Sequence, residues 1–205
     1  MAIDSTEPQV VEQASLRERK KERTRRDLVA AALELFEQKG YDATTIDEIA
    51  AAADVSPRTF FRYFANKEEV AMGETVDQPL IEAIAARPAG EPLIESLRHL
   101  VAEGFALMDE GDTEALLPRL KIIYRTPSLR ARRWEYQLGF GRKAGAALAE
   151  RLGLPPDDLG SRVTATAALI AVEVATDLWQ EGDGQGDLGQ LLDAAISSLS
   201  DAFGG

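Results

Sequence analysis

The octet Ser56-Pro57-Arg58-Thr59-Phe60-Phe61-Arg62-Tyr63 gathers groups suited to reading nucleic acid. Arg58 can fork onto guanine, and the Thr59 methyl can contact thymine. The Tyr63 hydroxyl can donate to the sugar-phosphate backbone, and Arg62 adds charge on the same edge. Ser56 reads as an N-cap and Pro57 as the first helical residue, so the octet should be a short helix with its N-terminal residues at the base edges. Phe60 and Phe64 should pack inward, while Phe61 fits either side. Positively polarised helix starts at Thr45 and Asn66 are natural phosphate sites, helped by the Thr45 hydroxyl and the Lys67 ammonium.

These residues need a mount. Thr45-Ile-Asp-Glu48 is a capping box that opens a short helix, and Asp54-Val55 turns the chain into the octet. A first helix is expected from about Glu22 to Lys39, with Leu28, Ala32, Leu35 and Phe36 at helical spacing and Gly40 as its C-cap. A fourth should run from Asn66 to roughly Ala86. Two short helices at a tight turn bury too little to stand alone, but they suit a helix-turn-helix carried on the first helix.

Charge supports that placement despite a net charge of -12. Residues 16–67 carry eleven Lys/Arg against nine Asp/Glu, and residues 68–205 carry twelve against twenty-three. Seven of the ten residues from Arg17 to Arg26 are basic, so a phosphate backbone meets one basic end of an acidic chain. A solvated helix face would leave the same mark. Residues 1–21 are expected as a flexible basic arm.

The remainder reads as helix throughout, with no period-2 strand pattern and no internal repeat. Helices are expected over about Leu93 to Asp109, around Leu116 to Tyr124, from Thr126-Pro127 to Gly153, from 158 to about 180, and from Leu188 to Phe203. Breaks fall at Arg87–Pro92, Glu110–Thr113 and Glu181–Asp187. The chain is therefore expected to be all-α with about nine helices: a reading head over 22–68 and a larger domain over 69–205. The last two long helices carry Ala165, Ala168, Leu169, Val172, Ala175 and Trp179, then Leu191, Leu192, Ala195 and Leu199. That is more than one apolar face, as expected if two copies pair in a four-helix bundle, although a monomer core is the plainer use.

Ala43-Thr-Thr-Ile-Asp-Glu-Ile-Ala and Val55-Ser-Pro-Arg-Thr-Phe-Phe-Arg-Tyr-Phe-Ala-Asn-Lys-Glu68 resemble the DNA-binding domain of the TetR family over residues 22–69. The resemblance implies a two-domain helical homodimer on a palindromic operator, most often a repressor, released when a small molecule fills the C-terminal domain. It places Thr45, Thr59, Tyr63 and Lys67 at backbone-contacting positions, and Pro57 and Arg58 at positions that read sequence. Phe61 stands where a tyrosine is usual, so the phosphate contact of that hydroxyl is lost. The basic run containing Arg25 resembles extensions that reach the minor groove in some members.

The effector is sought in the C-terminal half. Arg125, Arg130, Arg132 and Arg133 suit an anion, or simply solvent. Phe105, Met108, Tyr124, Trp134, Tyr136, Phe140 and Trp179 could line an apolar pocket, or pack as core. Glu173 and Asp177, one turn apart, could orient a ligand or edge a dimer. Thr126-Pro-Ser-Leu-Arg-Ala-Arg132 with Leu148-Ala-Glu-Arg-Leu-Gly153 also resembles a subgroup thought to sense acyl-CoA-like molecules, which implies a phosphorylated head and a fatty tail.

Other classes find little support. With no cysteine there is no disulfide, thiolate metal site or thiol nucleophile. The single histidine, His99, lacks an acid-base partner in sequence, so neither catalysis nor a metal or cofactor is expected. Gly184-x-Gly186-x-x-Gly189 has dinucleotide-loop spacing but follows a helix where that fingerprint needs a strand. No signal sequence or uninterrupted apolar span is seen, so a cytoplasmic, membrane-free protein is expected. A sequence-tolerant nucleoid-type DNA binder is the rival reading.

Overall fold

The computed structural model describes residues 7–73, 77–108 and 110–203, without the side chains of 7–18, 105, 110–111, 200 and 202–203. Among these residues every regular element is a helix, and there are ten. They fall into two compact units, 1–71 and 72–205.

The first unit is built on α1 (Glu7–Lys39). Leu28, Val29, Ala32, Leu33 and Phe36 form its buried face. The helix ends at Gly40, whose φ of +88° is a left-handed cap. It starts fifteen residues before the expected Glu22, so residues 7–21 are helix where a flexible arm was expected. The reason lies in composition: between Pro8 and Gly40 no helix breaker occurs, and Arg, Lys, Glu, Gln and Leu are strong helix formers.

α2 (Ile46–Ala52) opens with the full capping box on Thr45. The turn that follows is a Schellman motif, with Val55 N–H donating to Ala50 O and Asp54 N–H to Ala51 O. Asp54 takes the left-handed position, φ 53°. α3 (Pro57–Tyr63) follows, with the Ser56 hydroxyl accepting from the Thr59 amide at 3.1 Å. Phe60, Phe64, Ile49 and Val70 are buried in this unit.

The single helix expected over 66–86 is two: α4 (Lys67–Met72) and α5 (Asp77–Ala86). Gly73, at φ +79°, closes the first of them. This split brings the total to ten. α6 (Leu93–Ala106) leads to α7 (Glu110–Arg125), so Glu110–Thr113 is helix and the break falls just before it. Glu110 and Asp112 suit the positive start of a helix, which offsets the glycine between them. α7 carries Pro118 in its interior.

α8 (Pro127–Arg151) and α9 (Leu159–Glu181) pack closely, and α10 (Leu188–Phe203) packs on α9. Two glycines permit the close approach of α8 and α9. A Cβ on Gly145 would sit 2.9 Å from the Arg162 Cα, and one on Gly141 would sit 3.3 Å from the Thr166 hydroxyl. Alanine in mid-helix is normally preferred over glycine by about 1 kcal/mol, but here the obstacle is backbone. Gly145→Val should therefore cost roughly 1–3 kcal/mol and lower the melting temperature by several degrees, read by calorimetry. An unchanged melting temperature would mean α8 and α9 are farther apart than this.

By length and composition α9 could cross a membrane. It carries Arg162, Glu173 and Asp177, and its residues Ala165, Ala168, Ala171 and Ala175 are buried. Those contacts make it a core helix of the second unit.

Candidate functional site

On α3, Pro57, Arg58, Phe61 and Arg62 are exposed, and together with Ser56 and Thr59 they form the surface of the octet. Phe60 is fully buried beneath them, edge-on to Phe61 at 5.6 Å between ring centroids. Phe61 itself is 56% exposed, which resolves its sidedness outward. Arg62 lies over the Tyr63 ring and donates to its hydroxyl at 3.3 Å. Arg25 sits behind this face, half-buried, with its guanidinium 5.9 Å from the Phe64 ring centroid.

All four expected backbone-contacting side chains have structural partners: Tyr63 takes the Arg62 bond, Thr59 Oγ1 lies 3.0 Å from Ser56 Oγ, and Thr45 and Lys67 are held more firmly. The Thr45 hydroxyl accepts from the Glu48 amide and donates to the Glu48 carboxylate at 2.7 Å. Hydrogen bonds from Lys39 first, then Thr45, hold that carboxylate down at a pKa of about 2. Lys67 donates to the carbonyls of Tyr41, Asp42 and Thr44 at 2.8, 3.3 and 3.0 Å and stands over the Tyr41 ring. All three ammonium protons therefore close the turn between α1 and α2, which sequence spacing could not reveal.

The second unit holds a cavity of about 290 Å³. Helices α5 to α10 all contribute to its wall, and from Leu93 to Gly104 on α6 it follows the axis for roughly 16 Å. Ser96, Arg151, Thr164 and Thr176 are the polar side chains on an otherwise apolar wall. Arg151 anchors one end. It donates to Ser96 Oγ at 2.8 Å and to the carbonyls of Pro88 and Glu91. Ser96 in turn donates to the Glu91 carboxylate, which Arg87 and then Ser96 lower to a pKa of about 2.

Of the residues expected at a ligand site, Met108 and Phe140 line this cavity. Phe105 belongs to α6, but its side chain lies outside the described residues. The others do not line it. Trp134 is 48% exposed on α8. Trp179 packs on Ala175, Leu188 and Leu192. Tyr136 bonds to Asp77 and stacks on Phe140. Arg125 lies exposed at the end of α7.

Glu173, Arg133 and Tyr124 form a cluster of their own, where Arg133 pairs with Glu173 at 2.7 Å and the Tyr124 hydroxyl donates to it at 2.8 Å. Burial pushes the Glu173 carboxyl up, but Arg133, Tyr124 and Gln137 outweigh burial and leave it below the usual range. Burial, the largest cause, lifts Tyr124 to about 12. Arginines in a helix readily find carboxylates across a packed interface, so this cluster satisfies itself. Arg151 and Ser96 were missed because nothing in sequence brings the end of α8 to the start of α6.

Residues 28–71 match the N-terminal model of the tetR family of bacterial regulatory proteins, and residues 91–204 match the MftR C-terminal domain. The transcriptional regulator TcmR of Streptomyces glaucescens is 37% identical over 70% of this chain and 66% of its own length, just under two thirds. MftR of Mycobacterium tuberculosis, a regulator named for mycofactocin biosynthesis, is 28% identical over 78% of this chain and 82% of its own length. Among solved structures, SmeT, repressor of a Stenotrophomonas maltophilia efflux pump, aligns at a TM-score of 0.57 and 20% identity, covering 87% and 89% of the two chains. NalD of Pseudomonas aeruginosa aligns at 0.55 and 23% over 88% and 95%. The chain belongs to the TetR family of transcriptional regulators, with the helix-turn-helix of that family in its first unit and an MftR-type C-terminal domain in its second.

Proposed function

We propose that this regulator is a repressor that binds a palindromic operator as a homodimer and is released by an elongated, mainly apolar effector. The exposed row Pro57, Arg58, Phe61 and Arg62 on a capped, well-anchored α3 carries the DNA half of this reading. Arg58 reads a base and Thr59 and Tyr63 steady the backbone. Arg58→Ala should weaken operator binding by about 1–3 kcal/mol per half-site and relax preference at one base pair, measured by anisotropy on single-base variants. Equal losses on operator and scrambled DNA would remove Arg58 from base reading.

The second copy is expected to cover an apolar face formed by α9 and α8. On α9, Leu159, Val163, Ile170, Val174 and Leu178 are exposed, and on α8 Trp134 and Leu138. The antiparallel register set by Gly145 against Arg162 and Gly141 against Thr166 puts Leu138 and Trp134 level with the stretch of α9 that carries Ile170 and Val174. Such a continuous patch is uncommon on a monomer. Of the ten apolar residues first expected to give α9 and α10 their extra faces, Ala165, Ala168, Ala175 and Leu192 are buried and the other six are half-buried. The outward face of α10 is Gln190, Asp193, Ala194 and Ser198, so α8 rather than α10 is the better partner for α9.

The cavity supports the effector reading. Its length along α6 and its apolar wall suit a linear hydrocarbon chain, and the Arg151 guanidinium supplies positive charge for an acceptor head at one end. An acyl group meets both demands. Adding long-chain acyl thioesters and free fatty acids to the protein–operator complex should release DNA, and Leu100→Trp should block that release. No release by any chain length would exclude the acyl class.

A further inference from the structure

The basic segment of α1 is a rod, and that changes what it can touch. Residues 19–26 are part of the continuous helix Glu7–Lys39, and Arg19, Lys20, Lys21, Arg23 and Arg26 are all exposed on it. Arg19, Arg23 and Arg26 fall at i, i+4 and i+7, so they share one face. The ion pair of Arg23 with Asp27 is long, 4.0 Å, and open to solvent, so it holds that arginine weakly. Arg25, on the same segment, packs against Phe64 at the C-terminal end of α3. The basic rod therefore leaves the unit beside the reading helix.

An α-helix with side chains is about 10–12 Å across, whereas the minor groove of B-DNA is about 6 Å wide. A helical segment cannot thread that groove as an extended arm would. We propose that residues 19–26 form a separate phosphate-binding surface, lying along the DNA backbone outside the half-site that α3 reads. The ligand is duplex backbone of any sequence. Seven residues of helix span roughly 10 Å, against about 3.4 Å of axis per phosphate on one strand, so the three arginines meet about three phosphates. Each arginine neutralises charge and displaces counterions without selecting a base. This inference rests on the operator-binding reading and extends the footprint beyond it.

The test is anisotropy with the full chain on two operator duplexes. One ends at the outer edges of the half-sites; the other adds one helical turn on each side. Wild type should bind the longer duplex about tenfold more tightly or better, with a log–log salt slope steeper by roughly 5, from about three phosphates at each of two rods. Arg19→Gln/Arg23→Gln/Arg26→Gln should bind both duplexes alike and match wild type on the short one, which also shows that the variant folds. Changing the flanks from A·T to G·C should have no effect. Equal wild-type affinity for the two duplexes, or an equal loss by the variant on both, would overturn the proposal. A strong preference for A·T flanks would do so as well, by placing the segment in the minor groove. Failure of wild type to bind the short duplex over unrelated DNA would instead remove the operator reading, and this inference with it.

Discussion

Ile170→Asp with Val174→Asp should yield a folded monomer with almost no operator affinity. Both residues are exposed on α9, 37% and 50%, so the charges meet water in the single chain and the protomer core is untouched. In a dimer the same carboxylates would face their copies across a two-fold axis, desolvated and unpaired, at several kcal/mol. Losing the dimer also loses the second reading head. A linked second site commonly adds 10²–10⁴ in affinity, so operator binding should fall by about that factor. Sedimentation velocity and anisotropy on the same samples would show it, with helical circular dichroism unchanged. A variant that stays dimeric would move the interface off this face, and α10 would be the next place to look.

The second large effect concerns release. Ala168 lies on the cavity wall and is buried. Ala168→Phe puts a phenyl ring into a cavity of about 290 Å³. A cavity of about 150 Å³ holds a benzene ring, so the ring should take roughly half the volume without displacing the helices. Operator affinity should remain within about twofold, while effector affinity should fall by about a hundredfold or more. The variant would repress whether or not effector is present. Loss of DNA binding together with loss of release would point to a misfolded second unit, and thermal melting of Ala168→Phe separates those cases.

The helix-turn-helix was legible because its signals are local. The Thr45 capping box, the Ser56 cap and Pro57 each act within a few residues, and each is found as expected. Phe60 and Phe64 were readable as core from their spacing, and Phe61 required the structure. The second unit was legible as helices but not as a site. Trp134, Tyr136, Trp179, Tyr124, Arg125 and Arg133 were singled out by their types, and none of them lines the cavity. Arg151 and Ser96 lie 55 positions apart and meet only after folding. The exposed face of α9 was hidden for a related reason. Its sequence is apolar almost all round, so only packing tells which apolar side is left over. The helical extension of α1 was missed by giving charge density more weight than helix propensity.

The most direct test of the central claim is a gel shift of the 205-residue chain on DNA from upstream of its own gene, with a large excess of unrelated DNA present. A shift that survives the competitor, and that long-chain acyl ligands then dissolve, is the predicted result. A shift erased by any DNA would contradict it and leave a charge-driven, sequence-tolerant binder.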